Sequence, residues 1–544
     1  MRRKGWLALA MLVTGAGLLA AAHLAGAAGA KSDEIIRVGN AGASVQIDPQ
    51  VAYLTTAWWL EDATAAKLYD LSVPGALVPQ AASGFTVANG GRTYTFTIRK
   101  GFRFSDGASV TAKSFAYAID RVANKELASP GAQFITDPNG VDIVGAARVN
   151  DGEAQHVSGV VAKGRKLVIR LVKPDPNFVA TLSMPFFQAT STTLPLTQEV
   201  LGPYPSAGRY AFTHNDINVL TSIRRNPFWT KGPGRAAPRR QEGLDLVWNQ
   251  NQDTLVAQVQ AGEFDEDADI PAAQRQALAD QYGVNKSRFW VKAQPCIGLL
   301  VFNNRNRLFK RNVRLRQAVN FAVDRTDYAA AGGPFAGRSW SHLLPPVVPG
   351  SSSKQPYPSH SNIVKAKRLA RGHLRGGKIT VYYRSSGTIS PAEAEVVRDD
   401  LIRLGFKPEH ITMKGFTGGS IYTAMGAHGS DADMGVSWGF CGDSFGANVL
   451  DSAGFVGEFL DPTSPLAVNN ARYRSRFLAA KRLRGRARSR AVGKLDVDLM
   501  RDLAPAAAMR TYDSQFLFSA RVDPGSLRYQ PAFGNWSIGA LVLK

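Results

Sequence analysis

Tyr94, Phe96 and Ile98 alternate with Thr95, Thr97 and Arg99, and this period of two predicts a half-buried strand. Ser105-Asp106-Gly107 then reads as a turn, because Asp can bond its own backbone and Gly accepts positive φ. Thr111 follows as a helix N-cap, with Phe115, Ala118, Ile119 and Val122 forming an apolar stripe behind it. The stretch 94–115 is therefore strand, turn and helix start in close succession.

The same reading predicts a strand over 35–39, a helical stretch over 58–71 and a hairpin within 158–172 about Lys163-Gly164. A strand over 219–225 follows, then a loop over 232–240 and a helix carrying Leu255, Val256 and Val259 that stops at Ala261-Gly262. Beyond it lie an apolar strand over 297–304 and a helix with Leu315, Ala318, Val319, Ala322 and Val323 on one face. Residues 378–416 read as strand (378–383), helix (391–404) and strand (411–416). Ser390-Pro391-Ala392-Glu393 forms a capping box, and Gly405 is the stop. A strand over 432–440 ends at Cys441-Gly442-Asp443. The second half of the chain is thus α/β, and no internal repeat is visible.

The first thirty residues differ in kind. Arg2-Arg3-Lys4 precede an apolar run that exits through Ala28-Gly29-Ala30, the pattern of a secretory signal peptide. With no Cys near that exit, a lipoprotein anchor is not expected, and a retained anchor is the alternative to cleavage. Export places the working protein outside the cytoplasm, in the periplasm or at the cell surface. The 544 residues exceed one ordinary core. Net charge is +22, with nine Lys or Arg between Arg472 and Arg490. That stretch reads as a solvated helix face or as a site for anionic envelope polymers; nucleic acid does not fit an exported chain. Cys296 and Cys441 are the only cysteines, and outside the cytoplasm they can form a disulfide or remain two buried thiols.

Catalytic and metal chemistry find no support. The eight His are isolated, and neither a phosphate loop nor a nucleophile elbow occurs. Asp265, Asp267 and Asp269 begin like a calcium loop, but Ile270 stands where Gly is required and Gln276 where the bidentate Glu belongs. No cofactor or metal is expected, and the chain reads as a binder rather than an enzyme. The candidate binding residues are Tyr53, Trp58, Trp59, Trp438, Phe440 and Asp443. The aromatics are equally compatible with a core. Asp443 follows a strand's C-terminal end, where open α/β sheets place ligands; its carboxylate calls for a ligand ammonium or a structural Arg.

These segments together resemble the family 5 extracytoplasmic solute-binding proteins, the peptide- and nickel-binding components of ABC importers. The resemblance rests on Tyr94 to Ala112 and on Ile47-Asp48-Pro49, then on Gly202-Pro203-Tyr204 through Arg225-Asn226-Pro227-Phe228-Trp229. Ala261 to Asp265, Phe302-Asn303 through Asp324-Arg325, and Ala504-Pro505 complete it. It implies a two-lobed type II periplasmic-binding-protein clamp of α/β class, with an extra strand-rich subdomain inserted in lobe one. The implied divisions are 1–30 signal peptide; 31–71 and 186–295 lobe one; 72–185 insertion; 296–505 lobe two; and 506–544 return to lobe one. Crossings between lobes fall at 297–304 and near 490–510. Cys296 and Cys441 would then meet at one cleft wall as a disulfide, and Asp443 beyond Trp438 would pair with a peptide α-ammonium. The implied function is enclosure of a short peptide by a monomer and its delivery to the transmembrane subunits of an ABC permease. The alternatives are a non-peptide solute (chelated nickel, a sugar or an opine-like compound) and an envelope receptor without a transport role. The chain departs from the family's usual run at Ser444 to Asn448 and carries Arg307 where a Pro is usual.

Overall fold

The computed structural model describes residues 34–73, 76–138, 140–235, 241–268, 270–385, 388–417, 420–441, 451–462 and 464–544. The expected signal segment lies outside these residues. A ten-stranded mixed sheet runs through the molecule in the order Ile411–Phe416, Ile379–Arg384, Met434–Phe440, Phe289–Phe302, Ala506–Phe518, Glu266–Asp267, Ile35–Gly39, Gly243–Val247, Leu220–Arg225 and Tyr210–Asp216. The two central strands are long and antiparallel. Phe289 to Ala293 pair with Asp513 to Leu517 in one half of the molecule, and Ile297 to Val301 pair with Ala506 to Thr511 in the other. The first crossing strand begins well before the expected residue 297. The second is Ala506–Phe518, since Gly485–Leu503 is helix; its apolar positions Val492, Leu495, Leu499 and Met500 recur at helical spacing and are buried.

Separate cores form around the two halves. One gathers Ile36 to Trp248 with Phe516 to Leu543. Two others pack on opposite faces of the sheet between Ile297 and Met509. A four-stranded sheet of Ala82–Ala88, Thr93–Ile98, Lys166–Arg170 and Val160–Lys163 belongs to the first half. The helix Ala112–Ala123 packs on it, with Thr111 and Ser114 forming a capping box and Phe115, Ala118, Ile119 and Val122 all buried.

Asp48 anchors that subdomain. Its fully buried carboxylate accepts from both terminal nitrogens of Arg121 (3.1 and 2.8 Å) and from the backbone N–H groups of Gln50 (2.9 Å) and Val200 (2.8 Å). With so many donors aimed at it, the buried charge is compensated, and Ile47-Asp48-Pro49 is a structural motif.

Two local expectations change. The helix over 58–71 is shorter, Thr55–Thr64, and the chain re-emerges as the strand Tyr69–Val73. The buried Lys67 ammonium draws Asp62 (2.6 Å) and Asp70 (2.7 Å) to itself, and an unbroken helix would not present those three groups together. The helix expected to start behind Ser390 begins at Ile389, and Glu393 turns inward instead of capping.

Glu266, in the short strand beside Ile35–Gly39, is buried between Asp265 and Asp267. Burial first, then the charges of Asp267 and Asp265, push its carboxyl from 4.5 up to about 8. The folded protein therefore keeps a proton that the unfolded chain releases above pH 4.5. Its stabilising effect is complete below that pH and is lost as pH rises towards 8. Glu266→Gln, which keeps the neutral form, is expected to be more stable than wild type at pH 8 by about 2–4 kcal/mol. The gap should close towards pH 5, as read from denaturant midpoints across that range.

Candidate functional site

Met434–Phe440 lies beside the first crossing strand in an irregular ladder. Leu299 pairs with Trp438 and Val301 with Gly435, so one extra residue is accommodated on the outer strand. Ser437 takes it up with φ 55°, a left-handed conformation unusual for a side chain larger than Gly. Its Oγ donates to Glu393 Oε2, and Arg510 Nε donates to Glu393 Oε1 at 2.8 Å. Arg510 also donates to Ala336 O at 2.6 Å and lies with its guanidinium 4.2 Å from the Tyr512 ring centre. A buried Glu–Arg pair thus holds the bulge in place.

The bulge aims Trp438 into a polar aromatic cluster. Its ring meets Tyr422 edge-on at 4.4 Å, and Arg384 donates to the Tyr422 hydroxyl. Beneath these groups Gly298 and Gly439 are directly paired across the two strands. A Cβ on Gly439 would lie 3.9 Å from the Arg384 terminal nitrogen and the Tyr422 hydroxyl and 4.0 Å from the Tyr512 hydroxyl. A Cβ on Gly298 would meet that same Tyr512 hydroxyl at 3.4 Å. Burial pushes the Tyr512 hydroxyl up to about 12, so it stays protonated at neutral pH. The result is a floor of bare backbone beside two phenols and a guanidinium, able to donate to carbonyl or carboxylate oxygens. Next to it, Cys296 and Cys441 are joined by a disulfide just beyond the last ladder pair, Ile297 and Phe440.

A cavity of about 550 Å³ opens between the helix Ala453–Gly457, with Arg474 and Lys481, and the inserted subdomain at Phe134, Asp175 and Asn177. Asn177 Nδ2 donates to Asp451 Oδ2 across it at 2.7 Å, and Arg488 holds the same carboxylate at 2.6 Å. Phe440 backs this region by packing on Phe455 and Phe459.

Of the aromatics selected from sequence, Trp438 belongs to the polar cluster, and Phe440 is buried against Phe455 and Phe459. Tyr53 is half-buried and stacks towards Trp58, Phe186 and the cavity-lining Phe134. Trp58 and Trp59 are core side chains, 1% and 2% exposed, whose indole N–H groups donate to Ala52 O and Trp536 O. Asp443 lies outside the described residues. Arg384, Tyr422, Tyr512 and the glycine pair were not singled out from sequence, because they come from separate elements and carry no motif. Within the run Asp265, Asp267 and Asp269, Glu266–Asp267 is a short strand of the central sheet, and Asp269 lies outside the described residues. Among the described residues no group of His, Cys, Asp or Glu is arranged to hold a metal ion.

The sequence model of the bacterial extracellular solute-binding proteins, family 5, matches residues 76–463. The chain belongs to this family. Among curated family relatives, the glutathione-binding protein GsiB of Salmonella choleraesuis is 24% identical over 338 residues, 60% of this chain and 59% of its own length. The oligopeptide-binding protein OppA of Bacillus subtilis is 23% identical over 308 residues, 54% of this chain and 53% of its own. The chain thus spans about three-fifths or less of the length of these curated relatives. Among solved structures, clavulanic acid biosynthesis oligopeptide binding protein 2 superposes with a TM-score of 0.78 at 20% identity, covering 94% of this chain and 95% of that one. Haemophilus influenzae OppA in complex with RPPGFSPFR gives a TM-score of 0.70 at 18% identity, covering 94% and 99%. The architecture is accordingly the two-lobed type II clamp with the strand-rich insertion.

Two outcomes are expected here. Glu393→Ala leaves the Arg510 guanidinium buried without its carboxylate, and should cost about 3–5 kcal/mol in the denaturant midpoint. Asn177→Ala removes the bond to Asp451 but leaves Arg488 paired; a shift of about 1 kcal/mol towards an open form should appear as a larger radius of gyration in small-angle X-ray scattering.

Proposed function

We propose that the protein is an extracytoplasmic binding component that encloses a short peptide between its lobes and hands it to an ABC-type permease. The reading rests on the paired glycines Gly298 and Gly439 with the Tyr512, Tyr422 and Arg384 heads beside them. An extended peptide presents backbone carbonyls and a carboxylate, and binds best to a floor without side chains that offers donors at its rim. Glutathione and oligopeptide binding, named for the relatives above, is in keeping with it. In this reading Trp438 covers the ligand backbone, Asp443 receives the α-ammonium and the 550 Å³ cavity takes side chains. Binding without turnover is all that these groups supply.

The test is a thermal-shift series with free di- to pentapeptides and their N-acetylated forms. A ligand at about 100 times its Kd should stabilise the protein by about 2.7 kcal/mol. Free peptides should raise the melting temperature and acetylated ones should not. Asp443→Asn should erase that difference, and Gly439→Val should abolish the response to free peptides by filling the floor. No shift with any peptide would reject the peptide reading.

A further inference from the structure

Two stretches of lobe two contain no acidic residue at all. Residues 301–323 carry six Lys or Arg, residues 354–378 carry seven, and neither contains Asp or Glu. The fold brings them together: the helices Val313–Ala322 and Ile363–Ala370 pack against each other through Leu315, Val319, Ala366 and Ala370. Asn362 N–H donates to Phe321 O at one end of the pair, and Asn312 Nδ2 donates to His373 O at the other.

At that second end lies an open concavity of about 500 Å³ whose wall consists of Arg305, Arg307, Lys310, Arg311 and Arg375. Among the described residues no carboxylate lines it. Arg375 donates to the carbonyls of Arg307 and Lys310, which ties the loop ahead of one helix to the loop behind the other. Both loops hold an arginine in the left-handed region, Arg311 at φ 53° and Arg375 at φ 47°. Arg307, Lys310, Arg311 and Arg375 place four cations around one hollow, where they repel one another and favour an anionic partner.

The position separates this hollow from the cleft. It sits past the C-terminal end of Phe289–Phe302, whereas Cys296 stands six residues earlier, about 20 Å away along the strand. The basic surface continues from the hollow along Ile363–Ala370 to Val364, about 10 Å further on. Val364 is 79% exposed, the most of any large hydrophobic side chain described, and shares its helix face with Lys367 and Arg368 at i+3 and i+4. A soluble anion would use the cations alone. An exposed apolar tip flanked by cations fits a surface that is both charged and oily.

We propose that this pole of lobe two docks onto anionic phospholipid bilayers, with the arginine hollow taking headgroup phosphates and Val364 entering the interface. Docking there holds the protein at a membrane while leaving the ligand cleft clear.

Co-sedimentation of the protein with vesicles tests it. Phosphatidylcholine vesicles containing phosphatidylglycerol are compared with phosphatidylcholine alone. The first thirty residues, whose Arg2-Arg3-Lys4 also favour anionic vesicles, are common to every variant, so the deciding readout is the change between variants. Binding should favour the phosphatidylglycerol vesicles and fade with added salt. Removing three cations together, Arg307→Gln, Lys310→Gln and Arg311→Gln, should weaken it roughly a hundredfold. Arg482→Gln with Arg486→Gln and Arg490→Gln removes equal charge from the other basic stretch and should leave it within a few-fold. Val364→Ser should weaken binding without changing its salt dependence, and thermal melts confirm that each variant is folded. Equal binding to both vesicle types, or an equal loss in the two triple variants, overturns the proposal. Displacement by glycerol 3-phosphate, where sodium chloride of the same ionic strength does not displace, also overturns it and makes the hollow a site for free phosphate esters.

Discussion

The pairing of Phe289–Phe302 with Ala506–Phe518 is the constraint on which the rest of the structure depends. Each strand contributes to both halves, so the cores on either side are tied through a shared ladder rather than a flexible linker. That ladder is regular at its ends and interrupted in the middle. Between the pairs Ala293–Asp513 and Ile297–Thr511 the first strand carries two more residues than the second. The interruption contains Pro295, which has no N–H to give a ladder. Rotation of one half against the other costs fewest hydrogen bonds there. The disulfide from Cys296 to Cys441 fastens the far side of this irregular stretch to the neighbouring strand, so a motion of the halves carries the cleft wall as one piece.

Site shape depends on a second irregularity. Without the extra residue at Ser437, the alternation of Met434–Phe440 would put Trp438 on the opposite face. A left-handed serine is unfavourable by about 1–3 kcal/mol. The bond from its hydroxyl to Glu393, itself held by Arg510, offsets that cost. A buried carboxylate far along the chain therefore fixes the orientation of Trp438, which is why Glu393 does not cap its own helix.

How much of this was legible in the sequence depends on range. Ile35–Gly39, the hairpin over 160–170, Ala112–Ala123 and the strand–helix–strand unit ending at Ile411–Phe416 follow from period and turn chemistry, since their determinants are local. The helix over 58–71 did not, because Lys67 is drawn out of helical register by Asp62 and Asp70. Ser390 failed as a cap for the same kind of reason, a tertiary partner outbidding a local one. In the site, Trp438 stood out because a strand and a cysteine frame it. Arg384, Tyr422 and Tyr512 are ordinary in their own segments, and only the sheet order brings them over Gly298 and Gly439.

Charge shows the same limit most clearly. By density the basic run over 472–490 is the richest in the chain, yet the fold gives two of its arginines carboxylates: Arg488 meets Asp451, and Arg476 meets Asp498, which Arg501 also reaches. Those ion pairs commit Arg476 and Arg488 to helix packing. The stretches 301–323 and 354–378 are less dense, but they bring no acid of their own, and the helix pair places each beside the other. What makes a surface electrostatically active is the absence of nearby carboxylate in three dimensions, and a sequence shows this only where acid-free segments are long and the fold makes them neighbours.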